Sequence, residues 1–144
     1  MKKIPFLLVF LIFYCLLGFK TTSYAQNKAL LYFCEDYVDG NEINVSEKFS
    51  TGWLTVMVDL RPAGRTFGVS NVQLKLIQIK DAQGNRISDK VIKTVPFDVS
   101  SDCDYVFFKD EENLSFDAPG TYKVICQKVD GTSIVSGVVI IVSE

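Results

Sequence analysis

The stretch GTYKVICQKVDGTSIVSGVVIIV, residues 120–142, decides the fold. Two runs rich in valine, isoleucine and tyrosine flank Asp130-Gly131, and Asp-Gly between β-rich runs is the preferred chemistry of a hairpin turn. The pattern predicts two paired strands, over 120–129 and 134–142. Under period-2 alternation Tyr122, Val124 and Cys126 share one face of the first strand, which therefore points into a core.

The same two signals recur about every dozen residues toward the N-terminus. Residues 103–109 form an aromatic strand with Tyr105, Val106, Phe107 and Phe108, closed by Asp110–Asn113. Residues 86–95 are a strand that meets Pro96, which cannot donate to a ladder and so marks an edge or a strand end. Its partner begins near Val72, with Val72, Leu74 and Leu76 on one face, across a turn at 81–85 that ends Gly84-Asn85. Residues 61–68, with Pro62, Gly64 and Gly68, are a loop. Residues 52–60 put Leu54, Val56 and Val58 on a core face, and 29–34 are continuously apolar. The turn 35–41 contains Asp39-Gly40, and 42–45 is expected to pair weakly with the first strand. No stretch of ten residues carries a sustained helical stripe. About seven or eight short strands without crossover helices imply an all-β antiparallel sandwich, with a small closed antiparallel barrel as the alternative.

The chain starts Met1-Lys2-Lys3, runs uncharged from Ile4 to Phe19, and then offers the small residues Ser23 and Ala25. That is the layout of a cleavable signal peptide, residues 1–25, of bacterial type. A helix over the sixteen uncharged residues rises only about 24 Å, short of a hydrocarbon core of about 30 Å, which disfavours a retained anchor. The expected product is a single domain, 26–144, secreted across the inner membrane to the periplasm or cell surface, with no stable membrane insertion. Removing the leader takes three lysines and no acid, leaving twelve basic and seventeen acidic residues, net −5. A net-acidic chain gives no reason to expect a nucleic acid partner.

Within 116–124, Pro119-Gly120-Thr121-Tyr122 resembles the start of strand F in immunoglobulin-like and fibronectin III-like sandwiches. In that family a tyrosine pins the corner between two strands through its hydroxyl. The resemblance implies that Tyr122 is the corner residue and that Gly120 shapes the turn before it. It departs from the antibody subtype, because Val124 stands where that subtype has cysteine and Trp53 begins a different strand. The family fixes a fold and not a function.

The sequence contains no histidine. That removes the commonest general base, the usual partner of a nucleophilic serine or cysteine, and the imidazole ligand of most zinc sites. No catalytic residue, cofactor or histidine-ligated metal site is therefore expected, and a small secreted enzyme ranks last among the readings. Asp98, Asp102 and Asp104, with Asp110 and Glu111 nearby, are oxygen donors that a calcium ion would need, without the spacing of an EF-hand loop. Trp53, Tyr37 and Phe67 lie near strand ends or loops and are the candidate ligand contacts of a glycan-binding module, whereas Phe107, Phe116 and Tyr122 fall at core or corner positions. Three cysteines follow the leader. A Cys103–Cys126 bridge, a Cys34–Cys126 bridge and buried free thiols are all open. The resulting expectation is an exported, non-enzymatic binding or structural module of the cell envelope, its partner an envelope or extracellular protein. A carbohydrate-binding or calcium-dependent module is the alternative. Recognition would use the loops at one end or the edge strand near Pro96.

Overall fold

The computed structural model describes residues 28–144. The signal peptide expected over 1–25 lies outside the described residues. Twelve strands follow in order: β1 (Leu30–Cys34), β2 (Asp36–Val38), β3 (Asn41–Ile43), β4 (Lys48–Ser50), β5 (Gly52–Trp53), β6 (Thr55–Asp59), β7 (Asn71–Lys80), β8 (Arg86–Asp98), β9 (Tyr105–Phe108), β10 (Ser115–Phe116), β11 (Gly120–Lys128) and β12 (Ser133–Val142). One 3-10 turn, Arg61–Ala63, interrupts the loop after β6.

The strands form a sandwich. A three-stranded sheet, β1-β6-β9, faces a five-stranded sheet, β4-β12-β11-β7-β8, and two small pairs, β2-β3 and β10-β5, flank them. Both large sheets are antiparallel except where β4 runs parallel to β12. The barrel alternative fails because neither sheet closes on itself.

Alternation in the sequence builds the layers. Leu31, Phe33, Val56, Val58 and Phe108 point inward from the smaller sheet; Val72, Leu74, Leu76, Tyr122, Val124, Cys126, Val139 and Ile141 meet them from the larger. Burying a side chain of this size contributes about 1.5–3 kcal/mol, so this layer dominates stability. Two glycines set how closely backbones approach. A Cβ on Gly137 would lie 2.2 Å from the Leu31 carbonyl oxygen, where β12 meets β1, and one on Gly120 would lie 2.7 Å from that of Lys80.

The 120–142 hairpin forms as expected, β11 pairing with β12, though its loop is Val129–Thr132 and the ladder slips by a bulge at Cys126/Gln127. Strand β8 runs through Pro96 and is the outer strand of its sheet, where a missing N–H costs nothing. Residues 41–43 pair with 36–38 rather than with the first strand; the Asp39-Gly40 turn, with φ of 51° and 79°, closes that hairpin on itself.

The Tyr122 hydroxyl donates to the Ala118 carbonyl at 2.7 Å, and its ring packs edge-on against Phe116 with centroids 5.2 Å apart. A hydroxyl-to-backbone bond of the kind the resemblance implies for Tyr122 is thus made within the chain.

Candidate binding surfaces

Two opposite faces of the sandwich carry the chemistry. The first is the outer face of the three-stranded sheet. Register places Leu30, Asp59 and Tyr105 in one row across it, Tyr32, Met57 and Phe107 in the next, and Cys34 beside Thr55 in the third. The β2-β3 hairpin lies over these rows, which is why every residue of β6 is buried on both faces. Tyr37 stacks on Phe107 with centroids 4.4 Å apart, and Tyr105 donates to Glu42 Oε1 at 2.6 Å. Tyr32 donates to the same oxygen. Burial, then the Glu42 carboxylate, pushes both phenols above their ordinary value.

Cations brace the rim of this face. Arg61 chelates Asp59, with Nε 2.9 Å from Oδ1 and Nη2 2.8 Å from Oδ2, and its guanidinium sits 4.1 Å above the Tyr105 ring. That pairing holds the Asp59 carboxyl below its ordinary value. Lys109 bonds Asp36 at 2.6 Å and stands 5.3 Å above the Trp53 ring. One group beneath the hairpin lacks a partner: the Thr55 hydroxyl is fully buried and makes no hydrogen bond.

The second face is the outer side of the five-stranded sheet. Lys48, Ile140, Thr121, Lys80 and Arg86 form one row; Val138, Lys123, Ile77 and Val91 the next; Ser136, Ile125, Lys75 and Thr94 a third. The three rows hold five cations and no carboxylate. None of the five makes a salt bridge among the described residues, whose ion pairs are Arg61–Asp59 and Lys109–Asp36. Val138, Ile140 and Val91 are 48%, 43% and 51% exposed, so the cations are interleaved with open apolar side chains.

Of the expected ligand contacts, Tyr37 and Trp53 lie on the first face, each half-buried and already covered by a neighbour. Phe67 is a correction. It is only 3% exposed, because its loop folds back through Phe67 N–H to the Cys103 carbonyl and its ring meets Phe108 edge-on at 6.5 Å. Phe107 is the converse: it takes the outward parity of β9, stacks on Tyr37, and remains 44% exposed.

The calcium candidates Asp98, Asp102 and Asp104 are not brought together; among the described residues no group of three carboxylate or thiol side chains has metal-binding geometry. Asp102 is occupied by the Ser100 hydroxyl at 2.6 Å, and Asp110 caps its own loop through Asn113. Of the three cysteine readings left open, the structure has the free thiols: Cys34, Cys103 and Cys126 are all unbridged. Cys34 lies on the outer side of the three-stranded sheet, away from Cys126 in the core. Cys103 sits on the turn before β9, its N–H bound to Ser100.

The class defined by these layers is an all-β, predominantly antiparallel sandwich with two chemically opposite outer faces. No protein-family model, curated protein or solved structure matches the chain.

Proposed function

We propose that this chain is an exported, non-enzymatic binding module of the bacterial cell envelope, built on an immunoglobulin-like sandwich. The leader-like segment at 1–25 supports export. The order β1-β6-β9 against β7-β11-β12, with Tyr122 bound to backbone at the corner, supports the immunoglobulin-like reading.

The observation that carries the binding role is the outer face of the five-stranded sheet. Five unpaired cations interleaved with exposed valine and isoleucine make an amphipathic plane suited to a partner that is both acidic and apolar. To test it, tagged wild type and a Lys75→Glu/Lys123→Glu variant are recovered from the producing cells after cross-linking. Partners that the wild type retains and the variant loses support the role; identical retention rejects it.

A glycan-binding reading is favoured by one observation, the Phe107 ring, exposed and backed by Tyr37. Retention on a glycan array that disappears in Phe107→Ala would distinguish it.

A further inference from the structure

The charges are sorted between the two sides of the sandwich. The strands of the five-stranded sheet carry eight lysines and arginines against two aspartates, while the rest of residues 28–144 carries four against fifteen acids. Residues 35–47, which include the β2-β3 hairpin, hold five carboxylates and no cation. Asp36 is paired with Lys109 and Glu42 with the two tyrosines, which leaves Glu35, Asp39 and Glu47 without a cationic partner. The exposed apolar side chains follow the same division. Val91, Val138 and Ile140 stand among the cations, and Val38, Ile43 and Val45 among the acids.

Resting on the reading that the five-stranded face is the binding surface, we propose that its occupant is the acidic β2-β3 hairpin of a second copy of this chain. The two patches match in sign and in apolar content, and they lie on opposite sides of one molecule. The contact is therefore heterologous: each copy uses its cationic plane on one neighbour and its hairpin on another, which builds rings or open chains rather than two-fold dimers. Four long strands spaced about 4.8 Å apart, each about ten residues at about 3.3 Å, present a face of roughly 600 Å², of which a hairpin of two three-residue strands covers only a part, so the contact is smaller than a standard specific interface. An association of that size, steered by exposed charge, is weak and salt-sensitive.

Charge reversal tests this with the protein recovered after export of the full chain. Two variants, Lys75→Glu/Lys123→Glu on the sheet and Glu35→Lys/Asp39→Lys on the hairpin, are first shown by circular dichroism to keep the wild-type fold. In sedimentation at low salt the wild type is expected to exceed dimer mass as its concentration rises, and added salt reverses this. Each variant alone remains monomeric, and an equal mixture regains growth because acidic sheet then meets basic hairpin. A wild type that stays monomeric at every concentration, or a mixture that fails to assemble, overturns the proposal. If the wild type is monomeric yet the sheet variant still loses its partners in the cross-linking experiment, the binding face stands with a foreign acidic occupant; if it loses none, both readings fall.

Discussion

The Tyr105 hydroxyl donates to Glu42 Oε1 at 2.6 Å, joining residues 63 positions apart in the chain. With Tyr32 on the same oxygen, Glu42 is the pin that holds the β2-β3 hairpin over the smaller sheet. Hydrogen bonds to a charged acceptor contribute about 1.5–3 kcal/mol each, less where water reaches them. Glu42→Ala is expected to lower unfolding free energy by about 2 kcal/mol, measured by urea denaturation. It should also brighten or shift tyrosine fluorescence as two phenols lose their acceptor. A change within error in both would remove the pin.

Thr55 is the counter-case, a buried hydroxyl with nothing to bond. An unsatisfied buried polar group costs about 1–3 kcal/mol, and valine has nearly the same shape without that cost. Thr55→Val is expected to stabilise the fold by about 1 kcal/mol, seen as a melting temperature about 4 °C higher. A lower melting temperature would mean that the hydroxyl has a partner.

Asp59 links stability to acid. Arg61 holds its folded value below the ordinary 3.8, so its contribution is complete above 3.8 and is lost as pH falls through the lower folded value. Wild type and Asp59→Asn should therefore differ most near neutrality and converge under strong acid. A difference that stays constant down to the acid transition would show that the carboxylate charge is irrelevant.

The thiols give a counting experiment. Burial pushes Cys34 up to about 11 and Cys126 up to about 12, so neither supplies thiolate at neutral pH, whereas Cys103 is partly exposed. Native protein comprising residues 26–144, treated with iodoacetamide without reductant, is expected to gain one adduct by mass spectrometry, and the same protein denatured three. Two fewer adducts after denaturation would reveal a bridge.

Legibility in the sequence followed the range of the interaction. Strands such as β7, β11 and β12 were readable because alternation and turn chemistry act over a few residues. Tyr122 was readable through the resemblance of 119–122 to a strand-F entry, and its contact, to Ala118, closes within four positions. Met57, wholly buried on the side opposite Val56 and Val58, was not, since its cover is a hairpin some fifteen residues upstream. Phe67 and Phe107 exchange expected roles for separate reasons: Phe67 sits in a loop, where no alternation applies and the contact with Cys103 folds it inward, and Phe107 takes the outward side of β9 next to inward Phe108. The cationic plane escaped notice because Lys48, Lys75, Lys80, Arg86 and Lys123 come together only when register is known. Among residues 26–144, at net −5, composition concealed it.

The parallel pairing of β4 with β12 bears on mechanics. Ile140 to Val142 lie beside Lys48 to Ser50 with both strands running the same way. Tension applied from the N-terminal side of β4 and the C-terminal end of β12 therefore pulls the two strands lengthwise past each other, so their cross-links are loaded together instead of unzipping singly. Force applied between residues 47 and 142 would meet its resistance at that short clamp, and in single-molecule pulling between those points Phe49→Pro, which also removes a core ring, should lower the rupture force.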